Sequence, residues 1–204
     1  MPSSVTVAEA PLSPNAPLSV RMASTIAAKR DSDMSSAARE KLKVCLLDFF
    51  ACAFEAHGLP WARQAQALAT AGAGPCSIVG TSVKAPASDA VFANSVAGHG
   101  LVREDMHTGS VSHLGIVVLP PLLALAQERR VDGRSFAAAA IVGYEVGGRI
   151  GRAIVTPEFA RTFRPTGFCG PLAAAAACSK LLGLDEKATA SALSLAANFV
   201  GGQN

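Results

Sequence analysis

The stretch from His99 to Gly115 reads His-Gly-Leu-Val-Arg-Glu-Asp-Met-His-Thr-Gly-Ser-Val-Ser-His-Leu-Gly and holds three of the four histidines of the chain. Arg103, Glu104 and Asp105 lie among them, while the flanking sequence on both sides is apolar and rich in alanine. Packing gives no reason for such a cluster, because histidines and carboxylates are rarely buried without partners. Chemistry does give one: an imidazole beside a carboxylate moves protons near neutral pH. The loop is therefore expected to be the centre of an active site.

Four chemistries fit these residue types. In proton transfer, Asp105 or Glu104 orients His107 or His113, which removes or returns a proton. A metal site could draw on Glu104, Asp105, His107 and His113, but their spacing matches neither H-E-x-x-H nor any zinc pattern, so no metal ligand is assigned. A Ser-His-Asp set would use Ser110 or Ser112, with no G-x-S-x-G turn to support it. The bland reading bonds each histidine to loop carbonyls, which suits a lone histidine better than three in one stretch. A second polar interruption runs from Arg161 to Gly170, Arg-Thr-Phe-Arg-Pro-Thr-Gly-Phe-Cys-Gly. There Gly167 and Gly170 could leave N–H groups open at a helix start for a carboxylate or phosphate, with Arg164 as its counter-ion. A Pro/Gly-rich helix start with a solvated arginine explains the same residues equally well.

The elements that must position these residues read as helices. Val20, Ala23, Ile26 and Ala27 share one helical face. Ser35 or Ser36 caps the next helix, whose stripe is Leu42, Cys45, Leu46, Phe49, Phe50 and Ala53, with His57-Gly58 as its cap. A third helix is expected from Pro60 to Ala71, a short strand over Cys76–Gly80, and a fourth helix over Asp89–Gly98 that delivers the chain to His99. A fifth leaves the loop near Leu114. The helix over Ser135–Val155 carries Gly143, Gly147 and Gly151 on one side, a flat groove for which Ala173–Ala177 is the expected partner. Asp185 caps a last helix through Ala197.

Composition agrees with close-packed helices. Of 204 residues, 50% are hydrophobic and only 5% aromatic, and the mean hydropathy is +0.33; this is an alanine-rich balance that favours helix on helix. A net charge of +3, without any basic block, speaks against nucleic acid or an anionic membrane surface as partner. The longest apolar run, Leu114 to Ala126, is too short to span a bilayer and contains Pro120-Pro121. No basic start followed by an apolar run marks a secretion signal. Five cysteines, odd in number and without C-x-x-C, read as reduced apolar residues of a cytoplasmic protein. Residues 1–18 hold four of the twelve prolines and are expected to be a disordered lead-in.

Many weak motifs also fall in one order: Cys45-Leu-Leu-Asp48, Ile78-Val-Gly80, Asn94-Ser-Val-Ala-Gly-His99, the acidic His107 loop, Leu119-Pro-Pro-Leu-Leu-Ala-Leu-Ala126, Gly143-Tyr-Glu-Val146, Arg149-Ile-Gly151, Pro165-Thr-Gly167 and Lys180-Leu-Leu-Gly-Leu-Asp185. Over residues 20 to 204 this order resembles the MmgE/PrpD family, which includes 2-methylcitrate dehydratase, cis-aconitate decarboxylase and iminodisuccinate epimerase. The resemblance implies an all-α, multi-helix bundle-like domain over residues 19–204, a separate α/β lid domain, homodimers, and cofactor-free proton transfer on a small di- or tricarboxylate. Family members carry His-Ala-Leu-Asp-Phe-Asp-Asp-Thr-His at the loop; here Val102 replaces the first aspartate and Arg103 the phenylalanine, while Glu104-Asp105 keeps the acid pair. Family members are more than twice as long, so the helical domain is expected to be incomplete at its C-terminal end and the lid absent, and these 204 residues alone are expected to show no turnover. His107, His113, Asp105 and Glu104 are the expected catalytic residues, with His99, Arg103, Arg164, Thr166 and Gly167 binding substrate. The contrasting expectation is a truncated, inactive helical module that serves in oligomerisation or binding.

Overall fold

Helix caps and apolar stripes place the elements of the computed structural model, which describes residues 15–202. The expected lead-in thus lies largely outside the described residues, and the first helix, α1 (Leu18–Ala28), buries Ala23 and Ile26. Ser35 Oγ accepts the Ala38 N–H at 3.1 Å and opens α2 (Ser36–Ala56). The buried face of α2 is Leu42, Cys45, Phe49, Cys52, Ala53 and Ala56, the face its periodicity predicts. His57 closes it, its Nδ1 lying 2.5 Å from the Phe54 carbonyl.

The third helix, α3 (Pro60–Ala67), ends short of the expected Ala71. The N–H groups of Leu68 and Ala69 turn to carbonyls three residues back, and Gly72, in the left-handed region at φ 76°, sends its N–H to Lys84 O. The expected strand is likewise only two residues long. β1 (Cys76–Ser77) pairs antiparallel with β2 (Lys84–Ala85), after which Gly80 at φ 79° takes the chain out of register. Next come α4 (Ala87–Gly98), α5 (Leu114–Arg129), α6 (Gly133–Ile154), α7 (Pro157–Thr162), α8 (Pro165–Leu181) and α9 (Glu186–Ala196). Asp132 and Asp185 cap α6 and α9 through bonds of 2.7–3.1 Å to N–H groups of the first turn. The fold is all-α, with the two-residue strands its only described sheet.

The core forms where α5, α6 and α8 meet. A Cβ on Gly143 would stand 2.8 Å from Ala177 Cβ, and one on Gly147 2.8 Å from Ala173 Cβ and 2.7 Å from a Leu114 methyl. Normal carbon contacts are about 3.5–4.0 Å, so the glycine groove of α6 does receive the alanine run of α8, with Leu114 wedged beside it. All five cysteines are free, and four of them are buried; burial pushes the Cys178 thiol up to about 11. No described helix is long and apolar enough to cross a membrane.

Candidate active site

The loop joining α4 to α5 is pinned at both ends. His99 is the C-cap of α4, its N–H bonded to Ser95 O at 3.0 Å. His113 precedes Leu114, the first residue of α5, and its backbone N–H donates to Thr166 Oγ1 at 3.0 Å. Between them Glu104 turns inward until its side chain is only 1% exposed. Its Oε1 takes a short hydrogen bond from His99 Nδ1 and lies 3.2 Å from His113 Nδ1, off the line of a good hydrogen bond. The two imidazoles meet edge to face, 5.2 Å between centroids at 72°.

One carboxylate thus serves two rings. Burial alone would raise Glu104. The hydrogen bond from His99, a backbone bond and the charge of the two imidazoles outweigh it and hold the carboxyl below its usual range. An ionised Glu104 accepts from His99 Nδ1, and its charge also faces His113 Nδ1, so the Nε2 atoms are the ring nitrogens left free to meet a ligand. His99 is the tightly bonded partner. His113 is the loosely held one, with its side chain 14% exposed against 34% for His99.

Asp105 has the opposite environment. Its N–H donates to Asp48 Oδ2 of α2 at 2.7 Å. Its Oδ1 is buried without a hydrogen-bond partner and presses on Gly115, where any Cβ would collide with it. Burial raises the Asp105 carboxyl, and the charges of Asp48 and Glu104 add to the rise despite the nearby Tyr144 hydroxyl. That hydroxyl is buried and unpartnered in turn; burial and the Asp105 charge raise it as well, keeping the phenol neutral. Two adjacent carboxyls therefore differ in character: Glu104 is a stable anion and Asp105 resists ionisation.

The other sequence-predicted residues fall elsewhere. His107 bridges to Ser112 in a small hairpin, bonds Ser110 Oγ at 2.8 Å through Nδ1, and rests its ring on Gly148 of α6. It lines a cleft of about 790 Å³ with Lys41, Tyr144, Arg149 and Arg152, whose walls include neither His99, Glu104 nor His113. Ser110 and Ser112 are 0% exposed, so neither can meet a substrate as a nucleophile. Arg103 points to the surface and pairs with Glu55 at 3.2 Å. Arg164 is the exposed N-cap of α8. Gly167 is no open donor: its N–H goes to Arg164 O at 2.9 Å, and its missing Cβ leaves room for the Gly201 carbonyl. The possible metal donors change too. Asp105 and His107 are drawn away, and the atoms of His99, Glu104 and His113 lie within 4.8 Å of one another, a set that could hold a divalent ion.

Asp48 and Tyr144 are the contributors that sequence reasoning missed. Asp48 is a carboxylate within the buried stripe of α2, and Tyr144 is the only tyrosine of the chain, set beside Gly143 in the packing groove. Each was a polar interruption of an apolar face, and that was the available signal.

Residues 20–203 match the MmgE/PrpD N-terminal domain. The chain is 31% identical over 183 residues to the cis-aconitate decarboxylase-like protein oryM of Aspergillus oryzae, covering 85% of this chain and 38% of that protein. It is 31% identical over 172 residues to the cis-aconitate decarboxylase of Aspergillus terreus, covering 80% and 35%. It is 33% identical over 124 residues to the cis-aconitate decarboxylase of Homo sapiens, covering 58% and 26%. The chain thus spans little more than a third of the length of the first two relatives.

Proposed function

The chain belongs to the MmgE/PrpD family, and from that premise we propose that it serves as a lyase or isomerase acting on a small di- or tricarboxylate. The step is general acid–base proton transfer at a carbon next to a carboxylate, without a cofactor. The observation that carries this reading is the buried Glu104 shared by His99 and His113. Glu104 stands 3.2 Å from His113 Nδ1 and attracts a proton to that side of the ring, so Nε2 of His113 accepts or delivers the proton, while His99 holds Glu104 in place. In a dehydration His113 takes the proton beside the carboxylate and returns it to the departing hydroxyl, which leaves as water. In a decarboxylation the electrons of the breaking C–CO₂ bond stay on carbon, and protonated His113 supplies the proton that quenches them. In an epimerisation His113 takes the proton from one face and water on the opposite face supplies the proton that replaces it. The names of the relatives favour the decarboxylation.

Arg164 is assigned to a substrate carboxylate, because it stands two residues before the Thr166 that holds His113. His107, in its separate cleft, is assigned no proton. A homodimer is part of the proposal: Val44, Leu47 and Phe54 of α2 are 57%, 72% and 56% exposed, an apolar set that a second copy would cover. A cytoplasmic setting is supported by the five free thiols.

A second reading rests on the same three residues. Two imidazoles and a buried carboxylate within 4.8 Å are also the donor set of a catalytic divalent metal. The two readings separate under exhaustive chelation. With a full-length form that includes the lid, and with cis-aconitate, 2-methylcitrate and iminodisuccinate as trial substrates, the proton-transfer reading expects turnover to survive metal removal and Glu104→Gln to lower kcat by about 10²–10⁴. Loss of turnover on chelation, restored by one added ion, would transfer the chemistry to the metal.

A further inference from the structure

The backbone N–H of His113 depends on Thr166, and Thr166 sits between two ties to the segment that follows α9. Arg164 N–H donates to Gly202 O at 3.2 Å, and Gly201 N–H donates to Gly167 O at 3.1 Å. These two bonds bracket Pro165 and Thr166, so the residues after α9 lie as a strap across the first turn of α8. Each glycine has a steric reason to be there. A Cβ on Gly167 would collide with the Gly201 carbonyl, and Gly202 lies at φ 119°, a backbone conformation that side chains rarely adopt. The first turn of α8 is otherwise weakly fixed from within. Pro165 has no N–H to give, Arg164 makes no side-chain cap bond, and Gly167 offers no side chain to pack.

We propose that this strap, Val200–Gly202 together with Gly167, is a positioning element for His113. Strap and turn set the height of Thr166, Thr166 Oγ1 fixes the His113 N–H, and that bond holds the His113 ring 3.2 Å from Glu104 Oε1. The strap touches neither ring nor carboxylate and acts only through Thr166. Whatever moves residues 200–202 therefore moves the base, which makes the strap a route by which the chain after α9 sets the geometry of the site. The functional half of this inference rests on the reading of His113 as the proton carrier.

The test uses nitrogen NMR on the 204-residue chain and needs no substrate. Two readouts are followed at His113: exchange of its backbone amide, and the ring ¹⁵N shifts that report the Nδ1–H tautomer. Gly201→Pro deletes one strap donor at a position where no atom lies within 4 Å of the new Cβ, and Gly202→Ala strains the strap at its other tie. Thr166→Val removes the acceptor itself, and Thr166→Ser keeps it. Both strap variants and Thr166→Val are expected to speed exchange at the His113 amide by about tenfold, the loss of roughly one hydrogen bond. All three should also convert the ring from one tautomer to a mixture, and Thr166→Ser should match the parent on both counts. The proposal is overturned if the strap variants loosen only the amides of Arg164 and Gly167 while His113 matches the parent in exchange and tautomer. It is equally overturned if Thr166→Val leaves His113 unchanged. Coupling that is present while His113→Ala keeps full turnover would leave the strap standing and remove the catalytic reading.

Discussion

Gly147 lets Leu114 and the alanines of α8 approach α6 so closely that one added methyl group should be felt in both stability and site geometry. In Gly147→Ala the new Cβ would stand 2.7 Å from a Leu114 methyl and 2.8 Å from Ala173 Cβ, about 1 Å inside normal carbon contact. Neither neighbour can swing away: Ala173 has no rotamer, and Leu114 is 1% exposed. Overpacking of this kind costs about 1–3 kcal/mol, while the better helix propensity of alanine returns about 1 kcal/mol. The net expectation is a loss of roughly 0–2 kcal/mol. Gly148→Ala, one residue along the same helix, is the internal control. Its Cβ would meet only the His107 ring, at 3.3–3.6 Å, and that half-buried ring can yield by a few tenths of an ångström. The propensity gain should win there, by about 0.5–1 kcal/mol. Urea unfolding of both variants beside the parent reads the difference, expected to be about 0.5–3 kcal/mol in favour of Gly148→Ala. Equal midpoints, or a more stable Gly147→Ala, would refute the close seam between α6 and α8.

Two further outcomes follow from the site. The Asp105 carboxyl is raised in the fold by burial, so its contribution to stability is complete below the unfolded value of about 4 and is lost as pH rises through the folded value. Asp105→Asn should therefore gain on the parent in urea unfolding as pH rises above about 4, and a difference that is constant with pH would refute the buried-acid description. Arg164→Ala should raise KM about tenfold with little change in kcat, as expected for a ground-state carboxylate contact; an equal fall in kcat would place Arg164 nearer the reacting atoms.

The helices were legible because their signals are local. Ser35, Asp132 and Asp185 announce helix starts, and Gly143 and Gly147 spaced by four face Ala177 and Ala173 because period 3.6 puts them on one side. The site was legible in its residue types but not in its pairing. Residue type and spacing offered His107 and His113 alike as proton carriers beside Asp105 or Glu104, yet the bridge between His107 and Ser112 turns the His107 ring toward α6. His99, farther away in sequence, is brought back by the end of α4. Neighbours in irregular backbone leave the chain on different sides, so Glu104 reaches the histidines while Asp105 reaches Gly115. Gly167 reads as an open donor until the strap is seen, and a contact between residues 167 and 201 leaves no local trace. The same holds for Asp48, which meets the Asp105 N–H across 57 residues.

The most direct measurement is solvent-deuterium capture in D₂O with cis-aconitate by a chelated full-length form that includes the lid, in the parent sequence and in His113→Ala. If His113 carries the proton, the parent releases CO₂ and places one deuterium on the product carbon, and His113→Ala lowers both rates together by about 10²–10⁴. Release and labelling at the parental rate in His113→Ala would contradict the claim that the Glu104-held imidazole moves the proton.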